Sequence, residues 1–357
     1  MKILLSGGGT LGPVVPLLAV HEIYRRHNKK TEFIWVGTKK GPEREIVKQY
    51  NIPFFVLIAS KWRRYFSLLN LIDLIKLPVA FFQSLILLWQ EKPSLLVSFG
   101  GFVSVPLHWA AALLGIPTWI HQQDAHVGLA NRLMSRTATK ITTALENTTK
   151  YFPKKKTSWI GNPVRNLQVK DKSYARKSLN LPVNEPVILV MGGGTGSNRI
   201  NKLILEALPH IPPNWQVIHL TGQYRPGEFA QGATKMFNNY HVYKFFTSEM
   251  RYAYAAADLV VGRGGFASIT ELASLSKPAI LLPMAGTHQE QNVRILVKNK
   301  AAAALDERSA DGIKLSQMIK KLINRPDIRE MIGKRMREML PPANGDKVVG
   351  VINKLVK

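Results

Sequence analysis

An internal repeat constrains the fold most. Ile3-Leu4-Leu5-Ser6-Gly7-Gly8-Gly9-Thr10 returns 185 residues later as Ile188-Leu189-Val190-Met191-Gly192-Gly193-Gly194-Thr195. In each copy a short apolar run enters glycines and then a helical pattern, which turns backbone N–H groups and a helix N-terminus toward an anion, usually phosphate. Further short apolar runs alternate with helical patterns at Phe33 to Val36, Leu95 to Ser98 and Thr118 to Ile120, then at Val217 to Leu220, Leu259 to Val261 and Ala279 to Leu282. That alternation predicts an α/β protein of two Rossmann-like, doubly wound parallel-sheet domains facing across a cleft, with ligands at the carboxyl ends of the strands. A join near Gly161-Asn162-Pro163 gives domains 1–162 and 163–340, and 357 residues suffice for two cores.

Charge narrows the partners. Lys and Arg number 49 against 23 Asp and Glu, a net +26. Residues 1–162 hold 21 basic and 8 acidic residues and the remainder 28 and 15, so each half carries +13. Charge spread this evenly, without a nucleic-acid motif, points away from nucleic acid and toward phosphorylated ligands or an anionic membrane. The absence of cysteine excludes disulfide frameworks, thiolate zinc sites and cysteine nucleophiles. Met1 to Ser6 carries too short an apolar run for a signal peptide.

Residues 68–89 approach the length of a membrane span. Asp73 and Lys76 would each cost about 2.5–3.5 kcal/mol at a helix centre, and Pro78 divides the segment into two expected helices. After it, Phe81, Phe82, Leu85, Ile86 and Trp89 follow helical spacing, with Gln83 and Ser84 on the other side. The cluster Lys61-Trp62-Arg63-Arg64-Tyr65-Phe66 suits a lipid headgroup zone, where each basic residue adds about 1 kcal/mol. Two readings stand: core helices with a solvated basic loop, or a peripheral docking surface.

Gly7, Gly9 and Gly12 satisfy G-x-G-x-x-G, but the acidic residue that an NAD site wants after the second strand is replaced by Gly37-Thr38-Lys39-Lys40. Those lysines would suit only the extra phosphate of NADP. The second copy, with Ser197 in the third position, repeats the difficulty. More specific is Gly262-Arg263-Gly264-Gly265-Phe266-Ala267-Ser268-Ile269-Thr270-Glu271, a glycine loop into a helix. A carboxylate about one turn into such a helix can accept both hydroxyls of a ribose while the N–H groups take phosphate. The alternative is a Ser268/Glu271 capping box. In Pro283-Met284-Ala285-Gly286-Thr287-His288-Gln289-Glu290-Gln291-Asn292, Gln289 and Asn292 share a helix face and offer amides suited to sugar hydroxyls.

These motifs, with Gly8-Gly9-Thr10-x-Gly12, Phe99-Gly100-Gly101-Phe102-Val103-Ser104, His121-x-Gln123-x-Ala125-x-x-Gly128-Leu129-Ala130-Asn131-Arg132 and Gly161-Asn162-Pro163-Val164-Arg165, resemble the MurG family of GT-B glycosyltransferases over essentially the whole chain. The resemblance implies transfer of N-acetylglucosamine from UDP-N-acetylglucosamine to an undecaprenyl-pyrophosphoryl muramyl peptide, lipid I, giving lipid II for peptidoglycan at the cytoplasmic face of the inner membrane, by a peripheral protein. It implies an acceptor- and membrane-associating N-terminal domain, with the C-terminal segment 341–357 returning to it as a helix, and a UDP-sugar-binding domain over 163–340. Carried over by position, Glu271 would hold the ribose diol, Gln289 and Asn292 the sugar, and Arg165 and Arg263 would lie near the diphosphate. Thr247 would lie near uracil, His288 stands where the family usually has Gln, and Gly194 replaces a Ser with Thr195 beside it. Thr10 and Gly12 belong to the first glycine loop.

Leu11-Gly12-Pro13 departs from the family's Gly-Gly-His, removing the expected histidine. Inverting transfer wants a base for the attacking hydroxyl, and the candidates are Asp124, which replaces an Asn, His126 and His121. No Asp-x-Asp occurs, so no catalytic metal and no cofactor are expected; helix N-termini would meet the leaving-group charge. The rivals are transfer to another lipid acceptor, a UDP-N-acetylglucosamine epimerase of the same fold, and a non-catalytic nucleotide-sugar binder.

Overall fold

A computed structural model of the chain describes residues 1–58, 69–222 and 228–356. They form two units, Met1–Arg165 with Pro342–Lys357, and Asn166–Pro341.

The first unit is built on β1 (Lys2–Ser6), β2 (Glu32–Gly37), β3 (Phe54–Val56), β4 (Leu95–Ser98), β5 (Thr118–Gln122), β6 (Lys140–Thr143) and β7 (Thr157–Trp159), in the spatial order β3-β2-β1-β4-β5-β6-β7. The second has β8 (Val187–Met191), β9 (Gln216–Leu220), β10 (Tyr240–Tyr243), β11 (Leu259–Gly262), β12 (Ala279–Leu281) and β13 (Ala303–Ala304), in the order β10-β9-β8-β11-β12-β13. Every pairing is parallel. Helices cover both faces of such sheets, which is why β1, β4, β8 and β11 read as unbroken apolar runs and are almost entirely buried. The strand order reverses between β1 and β4 and between β8 and β11, and crevices open at the carboxyl ends of strands at such switch points. Each copy of the repeat leaves its strand at one of these points.

Pro78 does not divide its segment: one helix runs Leu69–Glu91 with the proline inside. The downstream turns seat Ala80, Ser84 and Leu88 against the sheet, and that packing outweighs the local cost of the proline, about 3 kcal/mol. The sidedness also differs from the sequence pattern. Ser84 is buried with its Oγ donating to Ala80 O at 2.7 Å, while Val79, Phe82, Ile86 and Trp89 face outward, Phe82 63% and Trp89 69% exposed. Among the described residues no helix is long and apolar enough to cross a membrane. The basic and aromatic cluster Lys61 to Phe66, with Leu68, lies outside the described residues.

Helix Gly345–Leu355 belongs to the first unit. It packs on helix Val14–His27, where Tyr24 Oη donates to Asn353 Oδ1 at 2.8 Å. Ahead of it, Ala343 N–H donates to Asn162 O at 2.9 Å.

Candidate active site

In the second unit, the loop after β8 ends at Ser197, whose Oγ caps helix Asn198–Ala207 by accepting Ile200 N–H at 3.3 Å. A Cβ on Gly192 would stand 2.3 Å from Ser197 N, and one on Gly222 would stand 2.2 Å from the Gly196 Cα, so the turn has room only for glycine at both points. Gly196 N–H closes it on Gly193 O at 2.9 Å, leaving Thr195 exposed and Gly194 half-buried at the helix entrance.

The loop after β11 carries Arg263. Its Nη2 donates to Ser197 Oγ at 2.7 Å, and its Nη1 donates to Leu282 O at 3.1 Å and to the Glu307 carboxylate. Glu307 also accepts Ala285 N–H at 2.6 Å. Against the upward push of burial, the Ala285 N–H and the Arg263 guanidinium hold that carboxyl below the usual range. Arg263 therefore pairs its charge with Glu307 and donates from Nη1 and Nη2 to three loops, while its buried Nε has no partner among the described residues. Paired with Glu307, it fastens these loops beside the N-terminus of helix Asn198–Ala207, one of the helix N-termini expected to meet the diphosphate.

Helix Phe266–Ser274 starts from Gly265 with no side-chain cap, so Ser268 is its third residue and the capping box does not form. Glu271 is buried, and its Oε2 accepts from Tyr254 Oη at 3.0 Å. Tyr254 Oη also lies 3.7 Å from Met191 Sδ, which places the carboxylate near the carboxyl end of β8, beside Gly192.

Thr287 caps helix His288–Lys298. Gln289 Oε1 accepts Met284 N–H at 3.1 Å, and buried Asn292 donates from Nδ2 to Gly264 O at 3.1 Å. A Cβ on Gly264 would stand 2.6 Å from Val293 Cγ2, so the glycine admits this helix against the loop. Both amides thus border the β11 loop, Asn292 as a clamp on it, while His288 is exposed at the helix start. Thr247 N–H donates to Glu249 Oε2 at 3.3 Å.

In the first unit, Thr10 and Gly12 are exposed in the loop after β1, and Pro13 precedes helix Val14–His27. Beneath the loop, buried Glu43 accepts Gly9 N–H at 3.1 Å, Thr38 N–H at 2.7 Å and Thr38 Oγ1 at 2.6 Å. Ser6 Oγ and Ser104 Oγ, 2.9 Å apart, join the carboxyl end of β1 to helix Ser104–Leu113 across the switch point.

His121 is not placed to act as a base. It is fully buried; Nδ1 lies 2.7 Å from Thr142 Oγ1 and Nε2 3.0 Å from Asn162 Oδ1. Asn162 Oδ1 can only accept, so the ring proton sits on Nε2 and Nδ1 accepts from the Thr142 hydroxyl, whose oxygen also accepts from Trp119 Nε1 at 2.8 Å. Burial pushes the imidazole down to about 3, with the Asn162 contact opposing. Asp124 is half-buried and His126 exposed in the loop after β5. Gln122 Nε2 shapes that loop by donating to Asp124 O at 2.8 Å and to His126 O at 3.0 Å, and Asn131 Nδ2 donates to Gln122 Oε1 at 2.8 Å.

Arg165 closes the first stretch of the first unit. It falls in the first unit beside the Tyr50 hydroxyl, which donates to Glu22 Oε1 at 3.1 Å. Burial raises the Tyr50 phenol, Glu22 adds to this and Arg165 opposes it. Among the described residues no three His, Asp or Glu side chains gather as metal ligands.

Four residues that support these loops have no site role in the sequence reading: Ser197, Tyr254, Glu307 and Glu43. Ser197 carried a signal, a serine between a glycine turn and a helical pattern. The other three approach their loops only through tertiary contacts.

Residues 3–143 match the glycosyltransferase family 28 N-terminal domain and residues 187–339 its C-terminal domain. The chain is 35% identical to the UDP-N-acetylglucosamine--N-acetylmuramyl-(pentapeptide) pyrophosphoryl-undecaprenol N-acetylglucosamine transferase of Halothermothrix orenii, covering 95% of the chain and 93% of that protein. It is 34% identical to the transferase of the same name in Shouchella clausii, over 90% and 91% respectively. The crystal structure of MurG from Acinetobacter baumannii superposes with a TM-score of 0.73 at 27% identity, covering 99% of each chain.

Proposed function

The chain belongs to glycosyltransferase family 28, and from that premise we propose that it transfers N-acetylglucosamine from UDP-N-acetylglucosamine to the 4-hydroxyl of a muramyl peptide on undecaprenyl pyrophosphate, the step from lipid I to lipid II in peptidoglycan synthesis. The observation that carries this is relatedness along the full length to transferases named for that donor and acceptor. The second unit takes the donor. Glu271 accepts the ribose hydroxyls, and the N-termini of helices Asn198–Ala207 and Phe266–Ser274, whose first N–H groups have no intrahelical partner, receive the diphosphate. Gln289 offers its amide to the sugar from the start of helix His288–Lys298, and its Nε2 has no protein partner among the described residues.

The reaction is an inverting displacement. The acceptor oxygen forms its bond to the anomeric carbon as the bond to UDP breaks; the electron pair leaves with the diphosphate and the hydroxyl proton passes to a base. With Pro13 in place of a histidine and His121 enclosed, the base is Asp124 or His126, the two ionisable side chains of the loop after β5. Leaving-group charge is met by the helix N-termini without a metal.

The acceptor is held in an anionic bilayer, and the protein docks there peripherally, at the cytoplasmic face. Support comes from the outward stripe Val79, Phe82, Ile86 and Trp89, whose apolar surface has no reason to face water unless something covers it. Supplying the purified protein with UDP-N-acetylglucosamine and either a short-chain lipid I analogue or diacylglycerol tests the acceptor. UDP release with the first alone is expected; release with diacylglycerol contradicts it, and interconversion of the donor without any acceptor would mark an epimerase.

A further inference from the structure

We propose that Tyr254 is a positioning residue for the donor site: its hydroxyl fixes the Glu271 carboxylate in the orientation that receives the ribose hydroxyls, so that recognition of ribose depends on a residue that does not touch the nucleotide. The proposal rests on Glu271 being the ribose acceptor, as set out above. Tyr254 lies in helix Met250–Ala256, on the chain segment entering β11, and Glu271 lies in the helix leaving it, so the two flank one strand. Both side chains are buried, and the hydroxyl donates to Oε2 at 3.0 Å. The same hydroxyl lies 3.7 Å from Met191 Sδ at the end of β8, so the tyrosine is seated on the strand that feeds the glycine turn.

A glutamate near a binding crevice has three rotatable bonds to order before its carboxylate can receive two hydroxyls at once. A buried phenol donating to one oxygen removes that freedom in advance, and preorganisation of this kind raises affinity by lowering the cost of ordering. Each carboxylate oxygen has two lone-pair sites, so Oε2 keeps the tyrosine proton while still accepting from a sugar hydroxyl. The phenol is neutral, so it orients the carboxylate without cancelling the charge that attracts the hydroxyl protons.

The test is a ligand-by-variant cycle in calorimetry, with UDP and 2′,3′-dideoxy-UDP as probes and the intact protein, Tyr254→Phe and Glu271→Ala as hosts. Tyr254→Phe keeps the ring and its packing and removes only the hydroxyl. It is expected to weaken UDP about 10-fold, the scale of a hydrogen bond to a charged group, and dideoxy-UDP less than about 2-fold, because that ligand has nothing for Glu271 to hold. Equal weakening of both ligands would assign Tyr254 a merely structural part and overturn the proposal, as would unchanged affinity for UDP. Glu271→Ala separates the two claims. If it is selective for UDP while Tyr254→Phe is not, the positioning role alone fails; if it weakens both ligands equally, the ribose reading fails and the positioning role with it.

Discussion

Arg263 donates from Nη2 to Ser197 Oγ at 2.7 Å, so one guanidinium ties the loop after β11 to the N-terminus of the helix that follows β8. The two glycine loops at the switch point of the second sheet are thereby a single mechanical unit, secured to the β12 loop through Leu282 and Glu307.

Arg263→Met should therefore lower stability by about 2–3 kcal/mol, since it strips a charged partner from a partly buried carboxylate. Ser197→Ala alone should cost about 1 kcal/mol as a lost helix cap. Because the residues share a bond, the double variant should fall short of the sum by about 0.5 kcal/mol or more in denaturant unfolding. Strict additivity would show that the contact does not couple the loops.

The base assignment predicts kinetics. Removing a general base typically costs about 10²–10⁴ in rate, so either Asp124→Asn or His126→Ala should lower kcat on that scale while leaving affinity for UDP unchanged. If both variants turn over like the parent, the proton leaves by another route.

Four buried histidines predict a pH dependence of stability. Burial holds His108, His121 and His219 down at about 3, and burial with Arg25 nearby holds His21 at about 4. A depressed folded value means that the unfolded chain binds more protons below its ordinary value of 6.5. This contribution to stability is complete above that pH and is lost progressively as pH falls from it toward 3 to 4. Each histidine contributes a slope of up to about 1.4 kcal/mol per pH unit in that window. Unfolding free energies measured between pH 7 and 5 should fall steeply, and His121→Gln should flatten the slope by roughly one such increment. An unchanged slope would mean that His121 is not held neutral.

The outward stripe predicts separable effects. Phe82→Ser with Trp89→Ser should reduce co-sedimentation with anionic vesicles several-fold. Stability should stay within about 0.5 kcal/mol per exposed site, and turnover of a short-chain acceptor should be unaffected. Undiminished vesicle binding would move the docking surface elsewhere.

The repeat and the apolar runs made both sheets legible, because strands buried on two faces leave unbroken signatures. β3, β6, β7, β10 and β13 escaped notice: they are short or edge strands, and segments such as Lys140–Thr143 and Thr157–Trp159 are polar enough to read as loops. The donor motif at Glu271, Gln289 and Asn292 was visible as spacing. Its supports Tyr254 and Glu307 were not, since they meet it only when separate helices and loops pack. The partners of Arg165 and Arg263, Tyr50 for one and Glu307 with Ser197 for the other, come from distant segments and were not visible either. In helix Leu69–Glu91 the helical spacing is legible in the sequence and the inward side is not, because apolar residues occupy both faces and only packing distinguishes them.

The most direct test of inverting transfer is the anomeric configuration of the product. With α-linked UDP-N-acetylglucosamine and a short-chain lipid I analogue, proton NMR of the purified product should show one β-linked disaccharide for each UDP released. An α linkage, or UDP release with free sugar and no disaccharide, would contradict the account.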